Sequence, residues 1–101
     1  MELEEKYIAK DGKVIFRIID NQAIVLFLTN DIEQQEQIRI FNEVATRIWE
    51  LIDGRKRLSE IVSLLCQEYE VEYKQAVKEV VEFVNKLYRD HLINLKNKPE
   101  I

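Results

Sequence analysis

Residues Phe41–Ile61, FNEVATRIWELIDGRKRLSEI, decide how the rest of the chain reads. Asn42 is a residue type whose side-chain oxygen caps a helix by accepting an early backbone N–H. Val44, Ala45, Ile48, Trp49, Leu51 and Ile52 then recur at the spacing of one helical face. Gly54 supplies the left-handed backbone angles that end a helix. Arg55-Lys56-Arg57 forms a basic turn, and apolar spacing resumes at Leu58. The expectation is a helix over Asn42–Asp53 and a second from about Leu58 to Tyr69. The second carries Leu58, Ile61, Val62, Leu65 and Cys66 on one stripe.

Upstream, Val14–Ile19 and Ala23–Leu28 are runs of β-branched and aromatic residues. Asp20-Asn21 between them tolerates the positive backbone angles of a tight hairpin turn. Thr29–Glu36 is polar and acidic and reads as a loop. Gln37–Phe41 alternates, with Ile38 and Ile40 on one side and Gln37, Arg39 and Phe41 on the other, which is the pattern of a short third strand. Downstream, Glu70-Val71-Glu72 joins the second helix to a third from about Tyr73 to His91. The predicted fold is α+β, a three-stranded antiparallel sheet followed by a three-helix cluster, winged helix-turn-helix-like. One domain is expected over residues 1–101, with its core at about 13–93. The tail Asn94–Ile101 holds the only proline, Pro99, and is expected to fray.

Composition narrows the function. The chain has 101 residues, an apolar share of 47% and a formal net charge of −4. That charge argues against nucleic acid as a partner, since a phosphate backbone rewards clustered Lys and Arg. Apolar runs fall short of a membrane span. The start MELEEKYIAK is acidic and amphiphilic and does not read as a signal peptide, so a cytoplasmic protein is expected. Cys66 has no second thiol and reads as apolar filling. His91 is the lone histidine, at a helix end, and a zinc site needs further Cys or His ligands. No glycine-rich phosphate loop and no Cys-His or Ser-His pairing at a turn is present. The expectation is a chain with no catalytic residue, no metal and no cofactor.

Helix three is apolar over a wide arc. Ala76, Val80, Phe83 and Leu87 fall together on a helical wheel, with Tyr73, Val77, Val84, Val81 and Tyr88 beside them. Lys74, Lys78 and Asn85 border the flank beyond Val81 and Tyr88, while Glu72, Glu79 and Glu82 border the other. Two readings stand. The arc is wide because the helix is central to the core, or the edge Val77, Val81 and Tyr88 lines an exposed groove with a cationic rim suited to an acidic peptide.

Read together, these features resemble one family. Asn42, Ala45, Ile48, Trp49, Leu51, Asp53 and Gly54 match the pattern N-x-x-A-x-x-I-W-x-L-x-D-G, and Glu60-Ile61 matches the x-E-I of the next helix. This is similar to the PqqD-like family, the leader-peptide-binding module also called a RiPP recognition element. The likeness spans roughly Lys13 to Ile93. One departure is Arg57, where the family often has a Thr that caps helix two. A guanidinium cannot accept an N–H bond, so either Ser59 caps one turn later or the helix start is loose.

The resemblance implies that a leader peptide lies between the third strand and helix three. It adds as a strand to Gln37, Ile38, Arg39, Ile40 and Phe41 and lies against Lys74, Val77, Lys78, Val81, Asn85 and Tyr88. Arg39 either pairs with a carboxylate of the guest or is a solvated charge guarding the edge. The implied partners are a precursor leader peptide and a separate radical SAM maturase or leader peptidase, and a homodimer is compatible with an open sheet edge. The alternatives are a winged-helix DNA-binding domain, whose phosphate contacts would come from the basic turn, and a general protein–protein adaptor.

Overall fold

The computed structural model describes residues 3–28 and 38–101. In chain order they form a 3-10 turn at Leu3–Glu5, then β1 Tyr7–Lys10, β2 Val14–Ile19, β3 Gln22–Phe27 and β4 Ile38–Ile40. The helices α1 Glu43–Leu51, α2 Leu58–Tyr69 and α3 Tyr73–Arg89 follow, and β5 Ile93–Lys96 closes the order. The α+β architecture read from the sequence is present: an antiparallel sheet in the order β2-β3-β4, followed by three helices. Asp20 and Asn21 sit at φ 51° and 63°, so the hairpin turns through two left-handed residues, as its composition requires. The predicted third strand is β4, although Gln37 and the Thr29–Glu36 loop lie outside the described residues.

A second sheet was not anticipated. β1 pairs antiparallel with β5, from Tyr7 opposite Lys96 to Lys10 opposite Ile93. The tail expected to fray is therefore tied down through Lys96, and the Glu100 N–H reaches the Gly54 carbonyl at 2.8 Å. β1 also reaches the turn between α1 and α2. Ile8 donates to Lys56 O (3.2 Å), Gly54 donates to Ile8 O (2.8 Å), and Leu58 donates to Lys6 O (3.0 Å). Both strands are four residues long and lack a periodic signature of their own. They exist because Ile8 and Ile93 are buried together in the core, which is a long-range effect.

These contacts correct the expectation for the α1–α2 turn. α1 stops at Leu51, and Ile52, extended at φ −80° and ψ 99°, donates to Trp49 O. Gly54, at φ 81°, works inside the turn rather than at the helix end. A Cβ there would meet the Glu100 side chain at 2.4 Å. α2 begins at Leu58 with no help from Ser59. The Glu60 carboxylate accepts the Arg57 N–H at 3.0 Å, and the Lys6 carbonyl accepts the N–H of Leu58. The Arg57 guanidinium instead lies over the Tyr7 ring, 5.0 Å from its centroid.

Asn42 caps α1 as its residue type implies: its Oδ1 accepts the Ala45 N–H at 2.9 Å. Asn42→Ala is expected to cost about 1 kcal/mol in urea unfolding, with Asn42→Gly costing only a few tenths. Across the helices, Arg47 makes a two-pronged bond to the Glu68 carboxylate at 2.8 and 2.7 Å, tying α1 to α2. That bond holds the Glu68 carboxyl below its ordinary range. At the centre of the core Trp49 is fully buried and meets Phe16 and Phe41 edge-on, at 5.6 and 5.7 Å between centroids. Phe41 in turn meets Phe83 at 5.1 Å, so rings run from the hairpin through α1 to α3. Lys10 lies over the Trp49 ring at 4.9 Å and bonds to Ile52 O at 2.5 Å. Burial pushes its ammonium below the usual lysine range against the pull of Asp53 and Glu50.

Candidate peptide-binding site

β4 is the edge of its sheet among the described residues. Its register decides which backbone groups face outward. The Phe41 N–H donates to Ala23 O at 2.9 Å, and Arg39 stands opposite Val25. In an antiparallel ladder such pairs alternate, so Arg39 and Phe41 turn their N–H and C=O toward β3. Ile38 and Ile40 therefore aim theirs at the open edge. Their side chains, 62% and 66% exposed, lie on the outer face of the sheet beside Leu26 and Ile24.

The inner side of β4 faces α3 across a cleft of about 240 Å³. Arg39, Ile40 and Phe41 form one wall, extended by Asn42 and Ala45 at the start of α1. Phe83, Lys86, Leu87 and Asp90 form the other. The volume is below the roughly 300 Å³ at which small-molecule pockets begin. A space of that size is comparable to a few amino-acid side chains. The Arg39 guanidinium crosses to the Asp90 carboxylate at 2.6 Å, a half-buried ion pair joining β4 to α3.

The predicted site residues divide. Ile38, Arg39 and Ile40 sit where expected, while Phe41 is buried and acts as the floor of the cleft. Gln37 lies outside the described residues. On α3 the cleft is lined by residues other than the expected ones. Lys74, Val77, Lys78, Val81, Asn85 and Tyr88 stand about 120–180° round the helix from Phe83, at 100° per residue. None of them lines the cleft. Val77 and Val81 are half-buried against the core, and Lys74 and Lys78 are exposed. Asn85 and Tyr88 border a separate shallow depression with Glu82 and Arg89. The flank beside β4 is the one that carries Glu79, and Lys86 is the α3 cation that lines the cleft. The wheel showed the wide apolar arc correctly but cannot show which of its two edges meets the strand. Phe83, Lys86, Leu87 and Asp90, which line the cleft, are not among the expected residues. Their i, i+3, i+4, i+7 spacing marks one helix face, and an Asp in it, matched to Arg39, was the available signal.

Chemistry elsewhere is sparse. Among the described residues no group of three or more His, Cys, Asp or Glu is placed to hold a metal ion. No helix among the described residues is long and apolar enough to cross a membrane. Two of the three cations of the basic turn are engaged internally: Lys56 pairs with Asp53 at 2.6 Å, and Arg57 covers Tyr7.

The family model for coenzyme PQQ synthesis protein D (PqqD) matches residues 30–93, well over half of the chain. The chain belongs to the PqqD family. The match takes in β4 and all three helices of this PqqD-family chain, hence both walls of the cleft, and leaves out β1 and the β2–β3 hairpin. A solved structure, TbiB1 in complex with the TbiA(beta) leader peptide, resembles it with a TM-score of 0.74 at 26% identity. That likeness covers 85% of this PqqD-family chain and 94% of TbiB1. No curated protein matches.

Proposed function

We propose that this PqqD-family chain binds the leader region of a ribosomally synthesised precursor peptide by strand addition to β4. The observation that carries the reading is the edge of β4, with the Ile38 and Ile40 backbone groups turned outward beside a cleft sized for side chains. The likeness to TbiB1, a protein solved with a leader peptide, supports it. Backbone bonds to the edge supply affinity. Alternate guest side chains enter the cleft between Arg39 and Phe83, and the others lie by Ile38 and Ile40. The chain performs no chemistry itself. It acts in the cytoplasm and presents the remainder of the precursor to a radical SAM maturase or a leader peptidase. Tethering raises the local concentration of that substrate without any new catalytic contact.

The test is a titration of isotope-labelled protein with the leader region of a precursor peptide identified from a gene neighbouring its own. The expected result is saturable amide shifts at Ile38, Ile40, Phe83, Lys86 and Asp90, with slowed hydrogen exchange at the Ile38 and Ile40 N–H groups. Saturable binding that moves only the Lys74–Tyr88 flank would refute the β4 site, and absence of binding would refute the function.

A further inference from the structure

Among the described residues β2 is the opposite edge of the sheet from β4. The Leu28 N–H donates to Lys13 O at 2.8 Å, which places Lys13, Ile15, Arg17 and Ile19 with their backbone groups toward β3. The N–H and C=O of Phe16 and Ile18 are therefore turned outward, as is the C=O of Val14, whose N–H is held by Asp11 O at 3.1 Å. Natural edge strands are blunted by charges, bulges or proline. β2 reads Val-Ile-Phe-Arg-Ile-Ile, with Arg17 its sole charge, and Ile15 and Ile19 are 53% and 47% exposed. Its inner-face residues Phe16 and Ile18 are also exposed.

We propose that β2 is a self-association edge, on which a second copy of the chain pairs its own β2 antiparallel about a two-fold axis at Phe16. The two sheets then become one continuous sheet, and both β4 edges stay open. The strand is self-complementary in this register. A two-fold axis through the sheet keeps each residue on its own face, so pairing must be centred on a residue. Centring on Arg17 sets two guanidinium groups against each other, which is unfavourable. Centring on Ile18 pushes Phe16 onto Asp20, whose φ of 51° belongs to the turn. Centring on Phe16 matches Val14 with Ile18 and Ile15 with Arg17, so nearly the whole strand is used. It also brings the Lys13 end of each strand alongside the Asp20 end of the other, an opposite-charge match at both ends. The exposed side chains of β2 amount to a patch on the order of a few hundred Å². The product is a reversible dimer rather than an obligate one.

This inference does not rest on leader binding, and its test is separate. Sedimentation equilibrium of the whole chain up to about 1 mM is expected to show monomer and dimer in exchange. Ile18→Pro removes an outward N–H without touching the bonds to β3, and is expected to weaken association at least tenfold with little change in thermal midpoint. Ile15→Lys, which sets two cations against each other in the proposed register, does the same should the proline variant fail to fold. The double variant Ile15→Lys/Arg17→Glu sets opposite charges there and is expected to regain association. Ile40→Pro, on the other edge, leaves the dimer unchanged. A wild-type chain that stays monomeric throughout, a dimer indifferent to Ile18→Pro and Ile15→Lys, or a double variant that fails to recover would overturn the proposal.

Discussion

Ile40→Pro is expected to lower affinity for the leader peptide by about 2–3 kcal/mol, roughly 30- to 150-fold in Kd. The substitution acts on one atom group. The Ile40 N–H points away from β3, so proline there breaks no bond of the β3–β4 ladder, and the side chain it removes is 66% exposed. Edge strands accept proline where the N–H faces outward. The residue before it, Arg39, is already extended, as a pre-proline residue prefers to be. In the complex the same change deletes a donor to the guest backbone and leaves a guest carbonyl without its partner. Arg39→Pro is the informative contrast. Its N–H faces β3 opposite Val25, so that variant is expected to lose stability as well as binding. Calorimetric titration beside thermal unfolding separates the two. Wild-type affinity in a folded Ile40→Pro chain would mean that the guest does not add to this edge.

Trp49→Ala is expected to cost about 3–5 kcal/mol in urea unfolding, a large part of the roughly 5–15 kcal/mol typical of a domain. Trp49 is fully buried and links three parts of the molecule: Phe16 of the hairpin, Phe41 under the cleft, and the ammonium of Lys10 from β1. Its loss leaves a cavity beside Phe41, so the cleft between β4 and α3 should loosen too. Trp49→Phe is expected to cost far less, about 1 kcal/mol. The buried indole N–H has no hydrogen-bond partner among the described residues. Removing it relieves an unmet donor, which offsets part of the lost ring contact. Equal losses for the two variants would show that the indole N–H does find a partner in solution.

Much of the local structure was legible before any coordinates. Asn42 announced the start of α1, Asp20-Asn21 the two-residue hairpin turn, and the spacing from Leu58 the extent of α2, because each depends on residues within a few positions of one another. The strand β4 was legible from alternation at Ile38–Phe41, and with it half of the candidate site. The family pattern around Trp49 pointed to the same region. The helical wall of the cleft was not legible. Phe83 and Val81 look equally apolar in sequence, and both border the same wide arc of α3. Nor were β1 and β5 legible, since Tyr7–Lys10 and Ile93–Lys96 carry no periodic signal and are joined only across the length of the chain.

The chain's own residues, taken in order, determined where each helix begins, how the hairpin turns and which residues of β4 alternate, because caps, turns and periodicity act over one or two turns of backbone. Only tertiary packing decided that α3 presents Phe83, Lys86, Leu87 and Asp90 to β4 and keeps Lys74, Lys78 and Tyr88 on its far side. A helical wheel has no preferred zero. The rotation of α3 is set by what docks on it: the Arg39–Asp90 ion pair, the Phe41–Phe83 contact, and the α2 and β5 elements packed against its other faces.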